Sequence, residues 1–217
     1  MYQVRDSVWC RDCVTVIIDG CHDHQEDEDI LDNKIVDSEN DTVLLLGGFA
    51  LDHVHHVEML SASGLCSRQI QDMEVPRSRA VSGVVGDKVI VCGGRTQTSM
   101  YSSSCSVLDL TSSEGWVSEP ETARLQQGRE DAASAVLGED MMVVTGGWDG
   151  ERLLDSVEVN RGHGWQEVPG WRLTSARYQH CAVAMGQSLI IAGGYPTLRQ
   201  VQILSLDHQV TSEVTIE

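Results

Sequence analysis

Four things are missing from this chain, and each absence narrows what it can be. No apolar run approaches the roughly 18 residues that would span a bilayer as a helix, and the start Met1-Tyr2-Gln3-Val4-Arg5 has no apolar core of the kind a signal peptide carries. Positive charge is short: Lys and Arg number 15 against 33 Asp and Glu, a net charge of −18. That balance repels nucleic acid and anionic membrane, and it favours solubility or a basic partner. Catalytic signatures are missing too, with no Gly-x-Ser-x-Gly, no His-Glu-x-x-His and no phosphate loop. Aromatic residues are few (one Phe, four Tyr and five Trp), so the position of each tryptophan is informative.

What the chain has is glycine in a pattern. Of its 20 glycines, eight form four pairs, each closing an aliphatic run: Gly47-Gly48, Gly93-Gly94, Gly146-Gly147 and Gly193-Gly194. Successive pairs are 46, 53 and 47 residues apart, a repeat period that governs the rest of the reading. The runs before them are β-branched and aliphatic without polar alternation, as in a strand buried on both faces. A glycine pair ends such a strand where the backbone needs positive φ or close approach of another segment.

The third unit shows the plan most clearly. Arg129 precedes a first strand reaching Leu137, Gly138-Glu139-Asp140 turns the chain, and Met141 to Thr145 forms the second strand. After the glycine pair, Trp148-Asp149-Gly150 turns again. Ser156 to Val159 is the third strand and Trp165 opens the fourth, which Pro169 is expected to stop. The second unit follows with Arg77, Arg79, the turn Gly86-Asp87 and Trp116. The fourth follows with Arg177 and Gly186-Gln187, and runs out near Thr215, where a Trp would be due. In the first unit only a stub, Ile35-Val36, is available as an opening strand. Residues 1–32 stand apart as an irregular acidic Cys/His-containing segment with room for one strand. Between Asp19 and Asp41, ten acids face one lysine, which accounts for half the net charge. Residues 33–217 carry the repeats.

A four-stranded unit with paired glycines after its second strand, Trp opening its fourth and Arg before its first resembles the kelch repeat. The resemblance implies an all-β protein, a kelch-type β-propeller of about four blades, each a four-stranded antiparallel sheet. It also implies that Trp116 and Trp165 pack between blades and that the four arginines brace the inter-blade turns. The third strand departs from the family, which commonly has Tyr where Met59, Leu108, Val159 or Leu204 stands here. Four blades are also fewer than the about six with which such rings usually close. A longer chain, an unusual closure or a second chain completing the ring each meets that shortfall. An array left open would self-associate through apolar blade faces.

The resemblance makes the loops between second and third strands, and those between blades, a recognition surface for another protein. The residues expected there are His53, His55, Arg95, Tyr101, Trp148, Arg152, Tyr195 and Arg199, with Arg and aromatic types prominent as in binding hot spots. The competing reading makes Trp148 and Tyr195 packing residues. His53 and His55 are two apart and share one face if extended. Cys10-x2-Cys13 and Cys21-His22-Asp23-His24 include soft donors, but only one half has ligand-like spacing, so no metal or other cofactor is assigned. Galactose-oxidase-like copper enzymes use the same blades, yet Tyr101, Tyr178, Tyr195, His180 and Cys181 do not assemble into their ligand set from sequence.

Non-catalytic protein binding is therefore the leading expectation. An extracellular adhesion or matrix module is the alternative, and a copper-enzyme relic is the outlying one. Cys92 ends a second strand and Cys105 begins the third beside it, so the two are either a disulfide or a pair of buried thiols. The pattern of Cys66, Cys92-Gly93-Gly94 and Ser104-Cys105 also looks like invertebrate kelch proteins expected outside the cell, which leans towards an oxidising compartment, whereas a true start at Met1 leans towards the cytoplasm. Thiol counting of the denatured, unreduced protein tests this: an intact Cys92–Cys105 bond favours the extracellular module, and seven free thiols exclude it.

Overall fold

The computed structural model describes residues 4–5, 14–19, 41–46, 57–61, 71–118, 120, 123–138, 140–205 and 211–215. The chain is all-β, and its described strands form four antiparallel sheets of four. The first holds β1 (Val4–Arg5), β2 (Val14–Asp19), β3 (Asp41–Leu46) and β4 (Val57–Ser61). The second holds β5 (Val81–Val85), β6 (Lys88–Cys92), β7 (Cys105–Asp109) and β8 (Trp116–Ser118). The third holds β9 (Ala133–Leu137), β10 (Met141–Thr145), β11 (Ser156–Asn160) and β12 (Trp165–Arg172). The fourth holds β13 (Cys181–Met185), β14 (Ser188–Ala192), β15 (Gln200–Ser205) and β16 (Thr211–Thr215). Within each sheet, strands neighbour one another in chain order. Between sheets, β2 packs near β5, β5 near β9, and β9 near β13.

Three local readings differ from the sequence expectation. The strand beside β3 is Val14–Asp19, in register from Val14↔Leu46 to Asp19↔Asp41, and not Ile35-Val36. The first sheet thus draws on both sides of the 32/33 boundary, and β1 pairs with β2 as a second strand from the N-terminal segment. Pro169 does not stop β12. The register shifts between Ser156 and Glu158, and the strand continues until Arg172 pairs with Ser156. β12 is an edge strand, where a missing N–H breaks no ladder. The strand then delivers Trp171 into the core at 6% exposure, a burial the sequence did not signal.

The core lies in the seams between sheets. Trp116 joins Leu46 and Val57 of the first sheet to Val84, Val89 and Val91 of the second, and its indole N–H donates to the Gln71 carbonyl at 2.9 Å. Trp165 sits among Val81, Ile90, Cys92 and Cys105 of the second sheet and Met142 and Val144 of the third. Trp171 and Leu173 fill the next seam with Leu189, Ile191 and Leu204. Thr211 stands opposite Leu204 where Trp116 stands opposite Leu108, so the fourth sheet has no tryptophan at that place and Trp171 supplies the ring from the third. Burying an aliphatic or aromatic side chain of this kind contributes about 1.5–3 kcal/mol.

The glycine pairs are where successive repeats meet. A Cβ on Gly93 would lie 2.8 Å from the Arg129 carbonyl, and one on Gly146 would lie 2.5 Å from that of Arg177. The amide of the second glycine uses this approach, Gly94 donating to Arg129 O at 2.8 Å and Gly147 to Arg177 O at 2.9 Å. All four of these glycines have positive φ, which a side chain would strain as well as obstruct.

Buried arginines complete the joint. Arg77, Arg129 and Arg177 are at most 1% exposed. Each donates through Nη1 to the carbonyl of the first glycine in its own repeat: Gly93 at 3.0 Å, Gly146 at 2.9 Å and Gly193 at 3.1 Å. Nη2 then meets a different partner each time, the Ser104 hydroxyl, the Glu158 carboxylate or the Gln200 amide oxygen. Burial lowers the Arg77 pKa to about 10, with Arg124 adding to the effect, so Arg77 stays protonated at neutral pH. Arg129 and Glu158 form a fully buried ion pair. The remaining capacity of that carboxylate is taken by the Gln126 and Gln127 amides at 2.7 and 3.3 Å.

Removing one member of a satisfied buried pair leaves an uncompensated charge. Arg129→Ala is expected to cost about 3–5 kcal/mol in urea unfolding. Glu158→Gln is expected to cost clearly less, because Gln202 in the fourth sheet binds the Thr174 amide in the same manner at 3.0 Å. Equal losses for the two variants would contradict this account.

Candidate functional site: a rim at one end of the sheets

In the second, third and fourth sheets, the residue three positions before the first strand and the residue after the glycine pair lie at the same end. They are joined there by isolated bridges: Ser78 with Arg95, Glu130 with Trp148, and Tyr178 with Tyr195. The next position in each repeat, Arg79, Asp131 or Gln179, has positive φ of 54°, 51° and 56°. A left-handed conformation at three non-glycine residues is strained and needs compensation. The compensation comes from the neighbouring repeat. Asp131 N–H donates to the Arg79 carbonyl at 3.2 Å, and Gln179 N–H donates to the Asp131 carbonyl at 2.8 Å. Side chains follow the same path, with Arg79 Nη1 3.0 Å and Gln179 Nε2 3.3 Å from Asp131 Oδ2. The result is a continuous staircase across three sheets.

Charge is matched along this rim. Glu130 is 3% exposed. It is gripped by both Nε and Nη2 of Arg95, the latter at 2.8 Å, and Arg79 lies 3.8 Å away. The fork geometry of a guanidinium on a carboxylate makes this a strong, oriented contact. It raises the Arg95 pKa through its hydrogen bond to Glu130. Burial raises the pKa of Asp131 above the usual carboxylate value, with Arg79 acting in the opposite direction. Both carboxylates are thus held by cations that remain partly open to solvent.

The predicted recognition residues divide accordingly. Arg95 is anchored on Glu130 and half-buried. Tyr101 lies across Gly150, its ring atoms 2.5–3.0 Å from where a Cβ on that glycine would stand. That contact brings the two neighbouring loops together. Gln127 Nε2 clips the second loop through Asp149 at 2.6 Å. Trp148 is half-buried and pairs through its backbone with Glu130 and Leu153. Arg152 reaches Asp149 at 3.7 Å while its side chain stays 73% exposed. Tyr195 is exposed and meets Tyr178 edge to face at 5.8 Å. Arg199 is exposed at the far end of that loop. The rim therefore brings Arg95, Tyr101, Trp148 and Arg152 together, with Tyr195 one repeat further on. His53, His55, Gly47 and Gly48 lie outside the described residues, as do Cys10, Cys13, Cys21 and Cys66.

Sequence reasoning did not find Glu130, Asp131 and Gln179. Their signal is a fixed offset, one or two residues after the arginines at 129 and 177. Arg79, grouped with the three buried arginines from sequence, belongs here instead: it has its own salt bridges and is 29% exposed. Of the copper-ligand types considered from sequence, Tyr178 and Tyr195 are in contact, whereas His180 points inward, its Nε2 2.8 Å from the Thr145 hydroxyl. The Cys92 and Cys105 sulfurs are bonded, across directly paired residues with Cα atoms 4.1 Å apart. Among the described residues, no helix is long and apolar enough to cross a membrane. No protein-family model matches the chain, and no curated protein matches it either.

His180 lies directly beneath the rim, wedged between Gly146 and Gly194. Burial, reinforced by Arg177, lowers its pKa to about 3, so it is neutral in the folded protein. The unfolded chain takes up a proton near pH 6.5. Its contribution is therefore fully present above about pH 6.5 and is lost as pH falls from there towards about 3. By pH 5 the loss is on the order of 2 kcal/mol. In His180→Ala, which copies Ala132 and Ala80 of the other repeats, the slope of stability against pH between 5 and 6.5 should flatten; an unchanged slope would assign the acid sensitivity elsewhere.

Proposed function

We propose that the chain is a kelch-type β-propeller module, or part of one, and that it acts without catalysis by binding another protein through this rim. The staircase of Arg79, Asp131 and Gln179 is the observation that supports it most. It holds loops from successive repeats in one fixed arrangement at one end of the sheets. Preorganised loops lose little freedom on binding, which is what a recognition surface needs. The residues so presented are of the types that dominate interface energetics: Arg95, Tyr101, Trp148, Arg152 and Tyr195. Glu130 and Asp131 are engaged by Arg95, Arg79 and Gln179, and so serve as scaffold for the cations. The four sheets correspond in this reading to blades, with the first strands nearest the axis.

The strongly acidic composition favours a partner with a basic or mixed surface. Nucleic acid and membrane insertion do not fit the charge and hydropathy. A secreted adhesion or matrix role is the second reading, and the Cys92–Cys105 bond favours it, because such bonds persist in oxidising compartments.

Arg152→Glu and Tyr195→Ala alter exposed side chains and are expected to leave folding intact. Quantitative affinity capture from cell and culture-medium fractions should recover at least one protein with wild type that both variants lose. Val117→Asp, on an exposed position of β8, should retain it. A capture profile that is the same for all four proteins would refute binding through the rim.

A further inference from the structure

Strand pairing in the second sheet does not need the disulfide it carries. Cys92 and Cys105 stand directly opposite one another on β6 and β7. The same two places hold Leu46 and Val57 in the first sheet, Thr145 and Val157 in the third, and Ala192 and Val201 in the fourth. Those pairs keep their register without a covalent bond. What the bond adds lies beyond it, where the chain leaves β6 as residues 93–104 and returns as β7. Among the loops that join second to third strands in the last three sheets, residues 93–104, 146–155 and 193–199, this one is the longest.

It is also the loop through which the second repeat grips the third. Ser102 O and Ser103 O accept the Arg129 and Leu125 amides at 3.1 and 3.0 Å. Arg95 holds Glu130 through Nε and Nη2, and the Tyr101 ring lies across Gly150. The loop is thus pinned at its root by the disulfide and at its tip by Arg95. A covalent ring from 92 to 105 removes conformations from the segment it encloses. Order imposed at the root favours the grip at the tip, and by linkage the grip favours the closed root to the same extent. Both cysteines are buried, at 0 and 1% exposure, among Val81, Ile90, Leu125 and Trp165. A thiolate therefore reaches sulfur only when this end of the sheet opens.

We propose that the Cys92–Cys105 bond and the Arg95–Glu130 contact form one redox-sensitive latch on the rim. Oxidised, the latch holds Arg95 and Tyr101 in the arrangement that faces a partner. Reduced, it releases residues 93–104 while the sheets stay paired. The reductant is a dithiol. Its thiolate attacks one sulfur, forming a mixed disulfide and expelling the other cysteine as a thiolate, and its second thiol then displaces the first cysteine. Cys92 and Cys105 end as two thiols, having taken up two electrons and two protons, and the dithiol ends as a disulfide. The consequence for partner binding rests on the reading of the rim as a recognition surface; the latch itself does not.

Two measurements on the protein alone test the latch, so its failure is distinguishable from a failure of rim binding, which the capture experiment reads. The first uses Cys92→Thr/Cys105→Val, which copies the Thr145 and Val157 pair of the third sheet. The Arg95 and Ser102 amides donate to Ser78 O and Gly94 O at 2.8 and 2.9 Å. Their hydrogen exchange should quicken by about 5-fold or more in this variant, with β10 and β14 unchanged. Unchanged exchange at these two amides overturns the proposal, as does a rise spread evenly over all the sheets. The second measurement leaves both cysteines in place and decides the matter if the double variant fails to fold. Reduction by dithiothreitol, followed by alkylation and peptide mapping, should open the Cys92–Cys105 bond about 5-fold or more faster in Arg95→Ala than in wild type. Arg152→Ala, a rim change outside the latch, should match wild type. Equal rates in Arg95→Ala and wild type overturn the proposal, and so does an Arg152→Ala rate as high as that of Arg95→Ala.

Discussion

Everything in this chain depends on one close approach: the main chain before a first strand passing within hydrogen-bond distance of the preceding repeat's glycine pair. Only glycine leaves room for the Arg129 carbonyl over Gly93 and the Arg177 carbonyl over Gly146. Those carbonyls belong to the same arginines whose guanidiniums fasten the glycine carbonyls of their own repeats. One residue therefore ties its own sheet with its side chain and the previous sheet with its backbone. The apolar seams and their tryptophans then pack around a spacing already set by hydrogen bonds.

The buried side of these arginines shows how the chain manages a costly group. A guanidinium in the core needs acceptors in several directions. Two are always main-chain or hydroxyl oxygens close at hand. The last varies in chemistry, with Ser106 at 3.4 Å, Glu158 as a full counter-charge, and Gln200 as a neutral amide. The same geometry tolerates a charged or uncharged neighbour because the glycine carbonyl carries the fixed part of the interaction.

Much of the fold was legible in the sequence, for a physical reason. Aliphatic runs, two-residue turns and paired glycines are local signals, and they located eleven of the twelve strands of the last three sheets, β12 only at its start and β16 not at all. The first sheet was misread because its pairing is long-range: β2 and β3 are separated by an acidic stretch that hides their relation. Pro169 was misread as a stop because its cost depends on whether a strand is at an edge, which sequence does not reveal. The rim was legible only in part. Arg95 and Tyr101 stand out as residue types, but Glu130 and Asp131 gain their roles from arginines 35 and 52 residues away in the chain. A left-handed Arg, Asp or Gln carries no composition signal at all.

The staircase at the strand ends runs in one direction, each repeat donating an amide to the carbonyl of the one before. A linear series of that kind has inner members and outer members. The second and third sheets are covered on both faces, and their amides should open only with the whole structure. Among the described residues, the fourth shares a buried seam with the third on one face and leaves Val183, Met185 and Val214 exposed on the other, so its amides should open more readily than those of the inner sheets. Stability in this protein is accordingly graded along the chain, highest where a repeat has neighbours before and after it.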